Sequence, residues 1–234
     1  MATIDLNCDM GEFPAAIADG SQEAIMPYIS SVNIACGGHA GNASTMRATV
    51  DQAKRYRLGI GAHPGYPDPE NFGRLPLPMP PEAIAQTVFE QIRALAAITA
   101  DIRHVKPHGA LYNTAAVDSV VAQAIADGVA RWSRDVVLVG LAGSVMLDVF
   151  RDAGFRIAPE IFADRRYEPD GNLRSRKFPD ALITEPAQAA AQVLAMLSRA
   201  GTICVHGDTT GALAIAAEVS KTLKEKGVQL APFG

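Results

Sequence analysis

The chain has 234 residues, of which 48% are hydrophobic and 20% are charged, and its formal net charge at pH 7 is −4. This composition excludes an intrinsically disordered chain, and the acidic balance excludes a basic surface for nucleic acid or anionic lipid. The length is that of one α/β barrel, a fold that typically takes about 250 residues.

Short runs typical of β-strands alternate with longer helical runs along the whole sequence. Residues 3–8 predict a strand, 21–29 a helix, 31–36 a strand, 42–56 a helix, 59–63 a strand, 81–99 a helix and 103–108 a strand. The pattern continues with a helix at 117–132, a strand at 136–141, a helix at 144–152, a strand at 155–162, a helix at 186–200, a strand at 202–206, a helix at 209–226 and a short strand at 228–232. Strands that alternate with helices are joined by right-handed crossovers into a parallel sheet. We therefore predict an α/β fold in which about seven parallel strands form a closed or nearly closed barrel, as one domain over residues 1–234.

Two connections are too long to be simple turns. Residues 64–81 contain seven prolines, which predicts a stiff and shaped loop. Residues 164–180 are rich in basic side chains, and two interpretations stay open for them: a solvated surface loop, or an anion-binding lid. These basic residues are Arg165, Arg166, Arg174, Arg176 and Lys177.

The cysteines indicate a reducing compartment. Cys8, Cys36 and Cys204 are odd in number and far apart, which argues against a disulfide framework. The first residues contain neither a basic segment nor an apolar segment of the kind that directs secretion, and no apolar run approaches the roughly 20 residues that span a bilayer. We expect a cytoplasmic protein.

Polar side chains recur at every second position of three predicted strands. Alternate residues of a strand share a face, so each of these sets lies on one side of its strand. The sets are Asp5, Asn7 and Asp9 in the first strand, His104, Lys106 and His108 in the fourth, and Cys204, His206 and Asp208 in the seventh. Helices cover the outside of such a barrel and require an apolar face, so the polar faces must point inward, near a hydrated mouth.

Four of the five histidines lie at or just after the carboxyl end of a predicted strand, namely His39, His63, His108 and His206. That rim is where α/β barrels build their active sites. Any one of these side chains could simply cap a turn or bond a carbonyl oxygen. Together they favour a functional site, because unpaired polar groups inside a barrel would cost about 1–3 kcal/mol each. The sequence lacks the common phosphate-loop, dinucleotide-binding and serine-hydrolase motifs.

Several longer motifs resemble the LamB/YcsF family, in the family's order, from residue 4 to about residue 212. They are residues 5–12 (DLNCDMGE), 32–39 (VNIACGGH), 61–66 (GAHPGY), 71–74 (NFGR), 105–113 (VKPHGALYN), 162–165 (FADR) with Tyr167, Asp170 and Gly171, and 205–208 (VHGD). The resemblance implies a single-domain, irregular (β/α) barrel similar to glycoside hydrolase and deacetylase folds. It also implies a hydrolase that opens the lactam 5-oxoproline to L-glutamate with ATP as co-substrate, in a complex with 5-oxoprolinase subunits B and C.

Opening a lactam requires a base for water, an acid for the ring nitrogen and positive charge near the oxygens. Our hypothesis assigns acid–base work to Asp9 with His39 or His63. It assigns stabilisation of negative charge to Lys106 and His108, completion of the polar rim to His206 and Asp208, and binding of the substrate amide and carboxylate to Asn7, Asn33 and Arg165. Because no nucleotide motif is present, we expect phosphorylation by ATP mainly on the partner subunits and ring opening in this barrel.

Two other functions stay open at the level of sequence. The first is a metal-dependent hydrolase or deacetylase, for which Asp9, His39, His63 and His108 are suitable ligand types, although no ligand spacing establishes a metal. The second is a non-catalytic subunit that binds the lactam and delivers it to an enzyme elsewhere.

Overall fold

The strands form one parallel barrel that closes on itself. The computed structural model describes residues 2–233, so residues 1 and 234, the bounds of the predicted domain, lie outside it. The strands are β1 (Ala2–Met10), β2 (Ser31–Ala35), β3 (Gly59–His63), β4 (His104–Val105), β5 (Val137–Leu141), β6 (Arg156–Phe162), β7 (Thr202–His206) and β8 (Val228–Leu230). Strands β1 to β7 pair in sequence order, and β1 pairs with both β2 and β7, with Asp9 opposite Asn33 on one side and His206 on the other. The predicted α/β barrel of about seven parallel strands is confirmed.

Helices follow the strands and cover the barrel. They are α1 (Pro14–Ala18), α2 (Ser21–Ile25), α3 (Ala43–Arg55), α4 (Pro81–Ala96), α5 (Gly109–Ala115), α6 (Ser119–Ala130), α7 (Val145–Asp152), α8 (Pro186–Met196) and α9 (Ala212–Glu225). Two short helices, α1 and α5, were not predicted. The strand predicted at 103–108 is regular only at β4, because Pro107 has no N–H to continue the ladder. The amide of Lys106 still donates to the carbonyl oxygen of Ala62 at 3.0 Å, so the chain stays beside β3 up to the mouth.

The two faces of β1 show why the sheet closes with a polar interior. Leu6 and Cys8 are fully buried under the helices, whereas Asp5, Asn7 and Asp9 point into the barrel. Asp5 accepts hydrogen bonds from the hydroxyls of Ser30, Ser31 and Thr202, at 2.6–2.7 Å. Burial nevertheless raises the pKa of Asp5 to about 6. The inward polar face predicted from alternation is therefore present in the structure.

Apolar side chains and the C-terminal segment fill the amino-terminal end of the barrel. Val137, Val139 and Ala158 form a small cluster against which Phe233 packs. The ring of Phe233 also lies 4.9 Å from that of His104, and β8 pairs with the first residues of β1.

Gly61 makes room for a histidine inside the barrel. A Cβ atom at Gly61 would lie 2.1 Å from Nε2 of His104, so no other residue fits there without displacing the ring. Nε2 of His104 donates to Oδ1 of Asn33 at 2.8 Å. Burial lowers the pKa of His104 to about 3, which keeps it a neutral structural donor. Within the described residues, no helix is long and apolar enough to span a membrane.

Candidate active site at the carboxyl mouth of the barrel

A buried lysine lies at the centre of the site. Nζ of Lys106 is 2.9 Å from Oδ1 of Asp9, 3.1 Å from Oε1 of Glu160 and 3.0 Å from Sγ of Cys204. Burial opposes the charge on Lys106, but the carboxylate of Asp9 and the neighbouring acidic groups outweigh it and raise the lysine pKa well above its usual range. Burial likewise opposes ionisation of Asp9, yet His63 and Lys106 hold its pKa well below its usual range. The pair therefore stays charged at neutral pH.

Two asparagines lie beneath this pair and do not line the cavity. Nδ2 of Asn33 donates to Oδ1 of Asp9 at 2.8 Å and to Oδ1 of Asn7 at 2.7 Å. Nδ2 of Asn7 donates to Glu160 at 3.0 Å and to the hydroxyl oxygen of Thr202 at 2.7 Å. Asn7 and Asn33 are 1% and 0% exposed. This arrangement lets both amides orient carboxylates and leaves neither of them facing a substrate.

Three histidines form a cluster whose hydrogen bonds require an additional proton. Nδ1 of His63 is 2.8 Å from the carbonyl oxygen of Lys106, and Nε2 of His108 is 2.9 Å from that of Phe72, so both nitrogens must donate. The remaining nitrogens, His63 Nε2 and His108 Nδ1, are 3.0 Å apart. Burial lowers the pKa of His108 well below its usual range. Nε2 of His63 also lies 3.3 Å from Oδ2 of Asp9, so a proton on this nitrogen faces both groups.

His39 is packed behind this cluster. Its ring stacks on that of His108 with centroids 3.5 Å apart, and burial lowers its pKa to about 2. Nε2 of His39 donates to Oε1 of Glu12 at 3.1 Å. His39 does not line the cavity, so the structure places it where it orients Glu12 and His108.

Glu12 is a site residue that the sequence analysis missed. Its side chain is 7% exposed and lines the cavity beside Asp9 and His63. Burial and the charge of Asp9 raise the pKa of Glu12 to about 7, the range suited to a proton-transfer group at neutral pH. Glu12 lies in the loop after β1, where the alternation of side chains along a strand no longer predicts which way a residue points. Its place in the motif at residues 5–12 was the available signal.

His206 is hydrogen-bonded to Asp164, a second site residue that was not predicted from the sequence. Nδ1 of His206 donates to Asp164 at 3.0 Å, and the amide N–H of His206 donates to the same carboxylate. Burial opposes the charge of Asp164, but His206 and the hydroxyl of Thr209 lower its pKa below the usual range. A buried carboxylate on Nδ1 leaves Nε2 of His206 as the free nitrogen, 3.9 Å from Oδ2 of Asp9. This arrangement can accept a proton from water.

The cavity above these groups has a volume of about 540 Å³, within the range of small-molecule sites. Its floor is ionisable and its wall is partly apolar, with Phe162, Tyr112 and Leu141 among the lining residues. Predicted residues that line it are Asp9, His63, Lys106, His108, Arg165, His206 and Asp208. The structure therefore brings together seven of the ten predicted residues around the cavity and places Asn7, Asn33 and His39 behind them.

Two groups of side chains are close enough together to be considered as metal ligands among the described residues: Asp9, Cys204 and His206, and a larger group of four. One ligand atom from each of Glu12, His39, His63 and His108 lies within 4.8 Å of the others. The rings of His39 and His108 are nearly parallel, with an interplanar angle of 4°. An ion bound to imidazole lies near the ring plane, so no single ion can sit well in both planes. The geometry leaves room for at most Glu12, His63 and one of the two stacked imidazoles around one ion.

The closed barrel and the ionisable cluster at its carboxyl mouth define an α/β-barrel protein with an enzyme-like site. The chain belongs to the LamB/YcsF family, which matches residues 4–234. A protein of Chloroflexus aggregans that is named as the A subunit of 5-oxoprolinase is 48% identical over 97% of this chain and 98% of its own length. A second protein of that name, from Shouchella clausii, is 45% identical over 97% of each chain.

Solved structures agree with this assignment. The lactam utilization protein of Thermus thermophilus is 37% identical and superposes with a TM-score of 0.90, covering 99% of this chain and 100% of that one. A family 4 carbohydrate esterase from Streptomyces lividans superposes with a TM-score of 0.56 at 13% identity, over 99% of this chain and 98% of its own. At that identity the likeness is one of fold, and it confirms the deacetylase-like barrel that the family resemblance implied.

Proposed function

We propose that this chain acts as the A subunit of a 5-oxoprolinase, a hydrolase that opens 5-oxoproline to L-glutamate at the expense of ATP. The observation that carries the proposal is the 48% identity, over 97% of this chain, to the Chloroflexus aggregans protein of that name. The name implies further subunits, and we assign B and C subunits as the partners. The free, buried cysteines fit a cytoplasmic protein.

The chemistry of the substrate explains the use of ATP. A lactam carbonyl is a poor electrophile, and transfer of the γ-phosphoryl group of ATP to its oxygen makes the ring carbon reactive. Water then adds to that carbon, and the carbon–nitrogen bond breaks as the nitrogen takes up protons. The acyl phosphate that results is hydrolysed by a second water to glutamate and phosphate. We assign the phosphoryl transfer to the partner subunits and the ring opening to this barrel.

The groups around the cavity can supply each requirement of ring opening. His206, oriented by Asp164, accepts the proton of the attacking water through Nε2. Glu12, with its raised pKa, delivers a proton to the ring nitrogen. Asp9 keeps Lys106 charged, and this cation stabilises negative charge on the reacting oxygens. His63 lies beside the same oxygens as a hydrogen-bond donor.

Arg165 is the candidate for the substrate carboxylate. It is 5% exposed and lines the cavity, and its Nε atom has no hydrogen-bond acceptor among the described residues. A guanidinium suits a carboxylate because two of its N–H groups can bond the two oxygens at once. Asn7 and Asn33, predicted for the same task, support the carboxylates of the site in our proposal.

Reconstitution tests the function. Partner subunits are incubated with 5-oxoproline and ATP, with and without this chain, and glutamate and phosphate are measured. We expect glutamate only when the chain is present, and an Asp9→Asn variant that assembles normally should form none. Equal glutamate without the chain would refute the catalytic role. Unchanged turnover by Asp9→Asn, with 5-oxoproline still bound, would instead support a non-catalytic lactam-binding subunit.

The cluster of Glu12, His63 and the stacked histidines favours one second candidate, a metal-dependent hydrolase. Metal analysis of the purified chain, followed by chelation and by assay of the reconstituted complex, separates the two functions. Stoichiometric metal whose removal abolishes glutamate formation would favour the metal-dependent mechanism. Full activity after chelation would exclude it.

A further inference from the structure

The rim of the cavity carries more positive charge than its neighbours neutralise. Arg74 and Arg176 both pair with the single carboxylate of Asp208. Arg165 lies on the same rim, where its Nη2 donates to the carbonyl oxygen of Arg174 and no carboxylate pairs with it among the described residues. Two guanidinium groups thus share one carboxylate, and a third has none, beside a cavity that admits a small molecule.

Asp208 is held as a bound anion would be held. Nη1 and Nη2 of Arg176 contact its two oxygens at 2.9 and 3.3 Å, which is the fork geometry of guanidinium–anion pairs. Arg74 approaches the Oδ2 atom from a second direction. Burial opposes the charge of Asp208, but Arg176, His206 and Arg74 keep its pKa below the usual range. A phosphoryl group has more negative charge and more oxygen atoms than a carboxylate, and it can accept hydrogen bonds from the same guanidinium groups.

The two arginines and Asp208 lie beside the groups that we assign to ring opening. Arg74, Arg176 and Asp208 line the same cavity as Asp9 and His63. The side chains of Arg74, Arg176 and Asp208 are 42%, 23% and 17% exposed, so an incoming anion can reach them. The cavity of about 540 Å³ is also much larger than a five-membered lactam requires. Both paired arginines line this cavity, so a ligand larger than the lactam can reach them.

We infer that this barrel binds its substrate as a phosphorylated lactam, with Arg74 and Arg176 holding the phosphoryl group in place of Asp208. The inference rests on the proposed function, because it concerns the form in which 5-oxoproline reaches this barrel. Asp208 occupies the two guanidinium groups until the phosphoryl group displaces it. Arg165 remains free for the substrate carboxylate. The ligand class is a small organic phosphate, and a nucleotide is not required at this site.

Calorimetric titration of the purified full chain with inorganic phosphate tests the site directly. Arg176→Gln and Arg74→Gln should each weaken phosphate binding at least about tenfold, because each removes charge-assisted hydrogen bonds. Asp208→Asn should tighten it several-fold, because it removes the competing charge. Arg131→Gln is the matched control: Arg131 also pairs with a carboxylate, that of Glu82, but it does not line the cavity. That variant should bind phosphate like the wild type.

Each outcome decides the inference. Absence of phosphate binding, or weaker binding by Asp208→Asn, would overturn it, since the arginine–aspartate cluster would then be purely structural. Binding of ATP more than about tenfold tighter than phosphate would also overturn it, and would identify a nucleotide site. The reconstitution assay is independent: if the chain is required for glutamate formation but does not bind phosphate, only this inference fails. If phosphate binds but the chain is dispensable, the proposed function fails instead.

Discussion

Replacing Lys106 with Met should destabilise the protein by about 3–5 kcal/mol at pH 8. Methionine approximates the length of the side chain but leaves the carboxylates of Asp9 and Glu160, 5% and 0% exposed, without their shared cation. Asp9 keeps His63 at 3.3 Å, whereas Glu160 keeps the amide of Asn7 at 3.0 Å and no cation among the described residues. The cost is therefore close to that of one uncompensated buried charge, and this sets the estimate.

The cost should also depend on pH. The depressed pKa of Asp9 means that its ion pairs add stability above the pKa of the unfolded state, and this stability is lost as the pH falls through the folded-state value. Both of these values lie below pH 5, so the wild type keeps its ion pairs over the whole range from pH 8 to pH 5. In the variant, by contrast, burial favours protonation of carboxylates that have lost their cation, and protonation removes the buried charge. The difference between wild type and variant should therefore shrink from pH 8 to pH 5. Urea denaturation followed by the fluorescence of Trp132, the single tryptophan, measures it.

An exposed lysine provides the control for this experiment. Lys221 is 61% exposed and pairs with Glu218 at 3.4 Å, so Lys221→Met should leave the unfolding midpoint unchanged. A cost below about 1 kcal/mol for Lys106→Met, or a cost that is the same at pH 5 and pH 8, would refute the reasoning that this lysine compensates buried carboxylates.

Three further predictions concern activity and packing. Because the pKa of Glu12 is about 7, kcat of the complex should fall as the pH rises above that value. Glu12→Gln should abolish this fall at high pH and lower kcat by about 10²-fold or more. A pH profile that the substitution leaves unchanged would rule out Glu12 as the acid. Asp164→Asn should lower kcat by about 10²–10⁴-fold with assembly intact, because Nδ1 of His206 loses its carboxylate; full activity would contradict the assignment of His206 as base. Gly61→Ala should lower the melting temperature by several degrees, because the new Cβ would lie 2.1 Å from His104, and an unchanged melting temperature would show that the ring moves freely.

Strand periodicity was sufficient to predict the architecture, because each strand and helix has its own local pattern. Alternation also placed Asp5, Asn7 and Asp9 correctly on the inner face of β1. It could not tell how far each side chain lies from the mouth. Depth depends on the stagger between strands, and for this reason Asn7 and Asn33 support the site from below. The prediction of one domain over residues 1–234 stays a prediction.

The missed residues have a common physical cause. Glu12 and Asp164 lie in loops after β1 and β6, where no period assigns a face. Their importance arises from long-range partners: His39 for Glu12, and His206 for Asp164. Burial by such partners raises the pKa of Glu12 to about 7, and no local sequence pattern encodes that environment. The histidines were easier to find because four of them mark strand ends.

The pairing of β1 with β7 has a consequence for how the protein is made. The hydroxyl of Thr202 donates to Asp5 across 197 residues of sequence. At ribosomal rates of about 5–20 residues per second, roughly 10–40 s separate the synthesis of these two partners. During that interval the barrel cannot close, so the carboxylates of the nascent chain stay hydrated. The charged interior therefore loses its water only after most of its partners have been synthesised. An incomplete chain that stops before β7 leaves the polar edge of β1 exposed to the quality-control machinery of the cell.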